Sequence, residues 1–432
     1  MIIIVALIVL LIGLFIGVPI PLAFLMSSLS IVLTSGIDPI FLLPYGFSQI
    51  NSVLLLTIPL FVLAGSVMNQ GGIGEKLIGS IEKILPKKMK GGLGIVAAVA
   101  CGLFGAISGS AGATLSCIGS IMAPRMRENG YHDGFIGSYL SSCGVLGLLI
   151  PPSMSMILYA WSGNVSVLAC FLSTVIPGII LIILFSIVNV VYARKEIKTV
   201  PQRNDGAACA AAGAPKEKSA IPALLMPIII LGTIYTGVLT PTESAALSVF
   251  YAIPVAMFYY KKMRPNELGG ALVDAAKTTG VIMIMLFSVM ILSRLYTMNN
   301  LPQQLLKLMM SISTNHTVLL LMINMFLVII GMLIDDTSAV LLSTPILLPI
   351  AVELGVSPIQ FAAIIGVNTG MGNITPPTAP LLYLSGRITG AEVKDMLPHT
   401  FRLILFAWVP TLIIVTFIPD VSLFLPRLFG YV

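Results

Sequence analysis

Of 432 residues only 40 are charged, 23 Lys or Arg and 17 Asp or Glu, while 57% are hydrophobic. Ordinary soluble domains carry roughly 25% charged residues; with 9% this chain cannot build a water-soluble surface, which excludes soluble enzymes and nucleic-acid binders. The net charge of +6 then belongs to loops that set orientation, not to a nucleic-acid footprint.

Residues 1–37, 39–74, 91–124 and 134–193 contain no Asp, Glu, Lys or Arg. About 20 apolar residues span a bilayer as a helix, and the short alternating strands of a membrane barrel are missing. The chain therefore reads as an all-α polytopic membrane protein. Its first apolar run has no charged segment before it, so residues 1–18 read as a retained helix rather than a cleaved signal. Helices are expected at 2–18, 20–37, 50–70, 135–161 and 165–193. Residues 91–124 are too few to cross a core of about 30 Å twice and also turn. Their middle, Ser108-Gly109-Ser110-Ala111-Gly112, has turn chemistry. They are expected to form a re-entrant hairpin.

Residues 194–218 hold nine charges, two prolines and an Ala/Gly run, the composition of a flexible linker. Beyond it the pattern recurs: helices at 221–240, 242–260, 279–298, 358–385 and 402–419, and a hairpin at 316–352 whose tip is Asp335-Asp336-Thr337-Ser338. The organisation is a first repeat at 1–193 (hairpin 91–124, broken helix 135–161), a cytoplasmic linker at 194–220 and a second repeat at 221–432 (hairpin 316–352, broken helix 358–385). A shift of 225 carries Pro124, Gly130, Gly147, Pro151 and Pro152 onto Pro349, Gly355, Gly372, Pro376 and Pro377. A shift of 220 carries Gly17, Val18 and Pro21 onto Gly237, Val238 and Pro241. Such repeats are typical of secondary transporters.

Five crossings per half is an odd number, so the repeats must be inverted. With both termini outside, 20 of the 23 Lys/Arg fall in cytoplasmic segments, the exceptions being Arg294, Lys307 and Arg427. Amphipathic stretches at Glu75–Leu85 and Gln303–Ile312 precede the hairpins and read as interfacial helices.

The double prolines carry the sharpest chemical signal. Proline lacks the N–H that would occupy the carbonyl four residues back. Pro151 and Pro152 are expected to free the carbonyls of Gly147 and Leu148, and Pro376 and Pro377 those of Gly372 and Asn373. A plain kink is one outcome; a Na⁺ cage at paired half-helix ends is the other, and the symmetric repetition favours it. The expected Na⁺ ligands, in two or more sites, are Ser108, Ser110, Ser141, Gly144, Gly147 and Leu148 in the first repeat. In the second they are Asp335, Thr337, Ser338, Asn368, Gly372 and Asn373. Ser108, Ser110, Asn373 and Thr375 are expected to contact substrate. The same hydroxyls and amides also suit ordinary capping of the tips. Glu243 follows Pro241 in a helix-start pattern, favoured over a proton-coupling role. The five cysteines suggest no disulfide framework, and three scattered histidines no metal cluster.

Gly17–Pro21 (GVPIP), Phe104–Thr114 (FGAISGSAGAT), Gly147–Ser153 (GLLIPPS), Thr240–Ala246 (TPTESAA) and Gly370–Thr378 (GMGNITPPT) together resemble the large membrane subunit of tripartite ATP-independent periplasmic (TRAP) transporters. The resemblance covers both repeats. It implies an elevator-type ion-transporter fold and Na⁺-driven import of an organic acid of the sialic acid or C4-dicarboxylate class, with a weak lean to sialic acid. It also implies a separate small four-helix membrane subunit, a periplasmic substrate-binding protein, a lipid environment in the bacterial inner membrane and no enzymatic reaction. The moving body would comprise 91–161 and 316–385, sliding against 2–70, 165–193, 221–298 and 402–419.

Two other readings compete. A stand-alone ion-coupled carboxylate carrier would need no binding protein. An intramembrane serine hydrolase built on Ser108 would need a histidine base within hydrogen-bond reach, whereas His132 and His399 fall in expected cytoplasmic segments and His316 at the outer start of the second hairpin.

Overall fold

The computed structural model describes residues 2–84, 89–197, 219 and 221–431. Leu85 and all but the first few residues of the expected linker lie outside these. Among the described residues every regular element is a helix. The first half contains α1 (Ile2–Ile16), α2 (Ile20–Ser35), α3 (Leu42–Ile50), α4 (Thr57–Gln70), α5 (Ile73–Ile84), α6 (Gly92–Ser108), α7 (Ala111–Glu128), α8 (Asp133–Gly144), α9 (Leu146–Leu149), α10 (Met154–Gly163) and α11 (Val167–Glu196). The second contains α12 (Ile221–Tyr235), α13 (Pro241–Pro254), α14 (Pro265–Met298), α15 (Leu301–Ile312), α16 (His316–Leu333), α17 (Asp336–Glu353), α18 (Pro358–Gly372), α19 (Pro380–Thr389), α20 (Val393–Leu403), α21 (Val409–Phe417) and α22 (Pro419–Leu428). A π-helical turn at Ile404–Trp408 makes α20 and α21 one continuous rod.

Six of these rods are long and apolar enough to cross a membrane, and the α8–α10 series, bent by 45°, is a seventh. Local chemistry sets the boundaries. Gly36 and Gly109 close α2 and α6 in the left-handed region, at φ 67° and 61°, where glycine pays no Cβ penalty. Glu243 closes a capping box: its Oε2 accepts the Thr240 N–H at 2.8 Å while Thr240 Oγ1 accepts the Glu243 N–H at 3.3 Å. Its position therefore has the helix-start role that the sequence suggests.

Several boundaries differ from expectation. α14 starts at Pro265, not 279, because Glu267 accepts the Arg264 N–H at 2.6 Å and opens the helix there. At 34 residues it is about 51 Å long, longer than a hydrocarbon core, so Asp274 and Lys277 ride on a helix rather than in a loop. The broken helix expected over 358–385 has its break between Gly372 and Pro380 and runs on to Thr389. The helix expected at 402–419 begins at Val393. The first hairpin continues past Pro124 to Glu128, and α11 continues to Glu196. α3 and α22 have no counterpart in the sequence reading.

Packing divides the helices into two groups. α1 lies on α2, α14 on α2, α3 and α4, and α13 on α4 and α12. The other group joins α6 and α7 to α8, α19 and α20, and α16 and α17 to α10 and α18. The groups meet chiefly where α4 touches α6 and where α14 touches α17. α5 and α15 connect them in sequence, each buried along one face against a hairpin helix.

The second group also takes α11 and α21, which corrects the expectation that 165–193 and 402–419 pack with the peripheral helices. Polar ties across apolar surfaces explain the placement. Asn189 on α11 donates to the Gly91 carbonyl at 2.6 Å. Gln360 on α18 donates to the carbonyls of Val415 and Thr416 at 3.1 and 3.0 Å, and Asn324 on α16 donates to Thr416 Oγ1 at 3.1 Å. In a membrane each such group must find a protein partner.

Candidate functional site

The first tip is built by a helix stop and a helix start two residues apart. Gly109 ends α6, and Ser110, extended at φ −137°, caps α7 through its side chain. Ser108 Oγ and Thr114 Oγ1 lie 2.9 Å apart, and Thr114 Oγ1 also donates to the Ser110 carbonyl at 2.8 Å. The result is a compact group of three oxygens. It faces the break between α9 and α10 across glycine. A Cβ on Gly105 would lie 2.7 Å from Gly147 Cα, and one on Gly147 would lie 2.6 Å from Thr114 Oγ1 and 2.7 Å from the Ser110 carbonyl oxygen. The Met154 N–H donates to the Gly109 carbonyl at 3.2 Å, fastening the tip to the end of the break.

Ser108, Ser110 and Gly147 are therefore brought together, with Thr114 as an additional member. The Leu148 carbonyl is not left free: Ser153 Oγ donates to it at 2.5 Å, so one lone pair remains. Ser141 turns back on its own helix and donates to the Ser138 carbonyl at 2.9 Å. Gly144 packs under α7, where a Cβ would lie 2.9 Å from Leu115 Cβ. Neither makes a hydrogen bond to the tip.

The second tip repeats the plan with a carboxylate. Asp335 caps α17, accepting from the N–H groups of Thr337 and Ser338 at 3.1 and 3.3 Å and from Ser338 Oγ at 2.5 Å. Asp335 and the Ser338 hydroxyl are thus bonded to each other, while Thr337 contributes its backbone N–H. Gly331 and Gly372 make the close approach here: a Cβ on Gly331 would lie 3.2 Å from Gly372 Cα. The second of this pair is the 225-residue counterpart of Gly147. Thr378 Oγ1 donates to the Met332 carbonyl at 2.5 Å and ties the break to the tip. The Gly372 carbonyl accepts from the Thr375 N–H at 2.9 Å and the Asn373 carbonyl from the Leu381 N–H at 3.2 Å. Thr375 Oγ1 donates to the Met371 carbonyl at 2.7 Å. Pro151–Pro152 and Pro376–Pro377 are both cis.

The residue joining the halves is Asp336. Its Oδ2 accepts from Ser155 Oγ on α10 at 2.8 Å, and its Oδ1 from Asn373 Nδ2 at 3.3 Å. Two neutral donors do not neutralise a carboxylate. Among the described residues the buried Oδ1 atoms of Asn373, at the end of α18, and of Asn368, within it, have no hydrogen-bond partner, while Asn368 Nδ2 donates to Asn324 Oδ1 at 2.7 Å. Carboxylate and amide oxygens are the donors that hard cations take. The sequence singles out both aspartates of the tip but takes only Asp335 into the expected ligand set, whereas in the structure it is Asp336 that reaches Ser155 and Asn373. The signal was available: in Asp-Asp-Thr-Ser the first aspartate is the natural cap, which leaves the second to point away from the helix start.

Beside the first tip lies a cavity of about 290 Å³ between the two helix groups. Ser66 and Asn69 of α4, Ser108 and Ser110 of the tip, and Asp274 and Thr278 of α14 supply its polar lining. Asn373 and Thr375 do not line it. Ser108 Oγ meets Thr114 Oγ1, the Ser110 carbonyl and, at 3.5 Å, the Ser110 N–H, while His132 caps α8, His316 bonds the Leu354 carbonyl, and His399 lies edge-on to Phe135. None of the three histidines is hydrogen-bonded to Ser108.

Residues 4–421 match the family model described as the DctM component of the tripartite ATP-independent periplasmic transporter. The chain is 36% identical over 389 residues to the Pseudomonas aeruginosa C4-dicarboxylate TRAP transporter large permease protein DctM, covering 89% of this chain and 88% of that one. It is 32% identical over 425 residues to the Vibrio cholerae sialic acid TRAP transporter large permease protein SiaM, covering 97% of each. It is 30% identical to the Escherichia coli 2,3-diketo-L-gulonate TRAP transporter large permease protein YiaN, covering 86% of each. In fold it resembles the crystal structure of the Alcanivorax borkumensis YdaH transporter, with a TM-score of 0.61 at 15% identity and 86% coverage of each chain.

Proposed function

The chain belongs to the DctM family of TRAP transporter large permeases, and on that premise we propose that it imports an organic acid by Na⁺ symport, with both termini in the periplasm. As a member of that family it is a multi-pass inner-membrane transport protein that works with a periplasmic binding protein and a small membrane subunit. The observation that carries Na⁺ coupling is Asp336, a carboxylate held by Ser155 and Asn373 with no cationic side chain as partner among the described residues. A charge at membrane depth is retained only where it is compensated. Na⁺ supplies that compensation, with Asp336 and the orphaned Asn373 Oδ1 as ligands in the second site. Ser108, Ser110 and Thr114 supply oxygens in the first. Bound Na⁺ brings positive charge to the body that must also hold an anionic substrate.

The substrate occupies the cavity between α4, α14 and the first tip. The start of α7 borders it, and a helix N-terminus favours a carboxylate. The polar part of the lining is hydroxyl and amide, with Asp274 as an acceptor. Asp274 suits an acid rich in hydroxyl donors, as sialic acid is, better than succinate, which offers it none. Because the cavity lies between the two helix groups, sliding one group past the other moves the site from one face of the membrane to the other. α5 and α15 act as the connecting arms, and the group containing α2, α3 and α14 holds the small subunit.

Proteoliposomes containing the chain, its small subunit and its binding protein decide the coupling. Uptake should follow an inward Na⁺ gradient. Full-rate uptake with choline in place of Na⁺ and the proton gradient collapsed would reject it.

A further inference from the structure

A second cavity, of about 680 Å³, lies away from the tips. It lies between α8, α11 and the α20–α21 rod. Its walls have two chemistries. Leu184, Ile187, Val188 and Val191 form a stripe at helical spacing along α11, faced by Phe406. Ile187, Val191 and Phe406 are 52%, 48% and 59% exposed. Lys195 continues the same stripe one turn beyond Val191, and Arg402 and His399 close the end from α20. Glu196 is the one acid in the lining, so the mouth is net positive. Neither Lys195 nor Arg402 is ion-paired among the described residues. The His399 ring is braced edge-on against Phe135 and Tyr192, each at 5.6 Å between centroids, and its buried Nδ1 has no partner.

We propose that this groove is a binding site for one anionic glycerophospholipid, with an acyl chain along the α11 stripe and the phosphate at Lys195, Arg402 and His399. Length supports the assignment. Leu184 to Lys195 spans about 16 Å along a helix, close to half of the ~30 Å hydrocarbon core. An apolar wall one leaflet deep that ends in cations matches a lipid held upright, and basic pockets between membrane helices recognise anionic headgroups by this charge complementarity. A free anion would use the mouth but leave the stripe unused. A zwitterionic lipid would use the stripe but lack the net charge that the mouth attracts.

The test is native mass spectrometry of the full chain exchanged into detergent with equimolar phosphatidylglycerol and phosphatidylcholine. Each surface cation favours an anionic lipid roughly fivefold, so the wild type should retain phosphatidylglycerol about 25-fold over phosphatidylcholine. Lys195→Gln with Arg402→Gln should bring the ratio near parity. Ile187→Trp, which fills the stripe, should reduce retention of both lipids. Parity in the wild type, or a preference unchanged in the double variant, overturns the proposal. Phosphatidylglycerol binding that appears only after deletion of residues 199–217 would place the linker in the groove and overturn it as well.

Discussion

Ser155 Oγ donates a 2.8 Å hydrogen bond to Asp336 Oδ2, linking the helix after the first break to the tip of the second hairpin. The two residues are 181 positions apart, and their contact makes the halves one unit at the proposed ion site. Binding at one half therefore has a direct physical route to the other.

The neighbouring aspartates should behave oppositely. Asp336→Asn removes the uncompensated charge but keeps the size of the side chain. We expect normal expression and loss of Na⁺-dependent uptake. Asp335→Asn keeps an efficient helix cap and should retain uptake. Asp335→Ala should cost about 1 kcal/mol of stability, read as a lower melting temperature in detergent. Retained Na⁺ dependence in Asp336→Asn would remove this residue from the site.

Glycine at the tip–break contact is a second point of attack. A Cβ on Gly147 meets Thr114 Oγ1 and the Ser110 carbonyl, both at under 3 Å, whereas one on Gly112 meets nothing within 4 Å. Gly147→Ala should push the tip off the break, at about 1–3 kcal/mol typical of overpacking, and abolish uptake. Gly112→Ala, in the helical first turn of α7, should leave uptake intact. Equal uptake in the two variants would show that the close approach is not needed.

Asn189 tests which helices form the second group. Its side chain is buried on α11 and donates to the Gly91 carbonyl at the start of α6. Asn189→Leu leaves that carbonyl with the Ile95 N–H as its donor, removes one hydrogen bond, at about 0.5–1.5 kcal/mol, and with it the lock between the helices. Thermal unfolding should shift down. An unchanged melting temperature would argue that α11 is not fastened to the hairpin.

Sliding is decided by cysteine pairs between the first tip and α4, in a background with the native cysteines replaced. A Cβ on Gly65 would lie 3.1 Å from Ser108 Cα, so this is a place where the two groups touch. Crosslinks from the tip should form at two registers along α4 more than one helical turn, about 5.4 Å, apart. Each should arrest transport. A single register, unchanged by Na⁺ and substrate, would reject sliding.

The sequence by itself determined the membrane class, the hairpin tips, the breaks and the family, because each acts within one segment. Apolar composition, Ser-Gly-Ser turn chemistry and a proline's missing N–H need no distant partner to have their effect. It did not determine which carbonyls stay open. Pro151 and Pro152 withdraw donors from the helix, but Ser153 folds back onto the Leu148 carbonyl, and Leu381 reaches the Asn373 carbonyl from the next helix. Nor did it tell which of two adjacent aspartates is spent on capping and which meets Ser155. The membership of α11 and α21 was hidden for the same reason. Their apolar surfaces fit any neighbour, and only the bonds of Asn189 and Gln360 to backbone far away in sequence select one. Those partners exist only once the chain has folded, so the tertiary structure alone decides them.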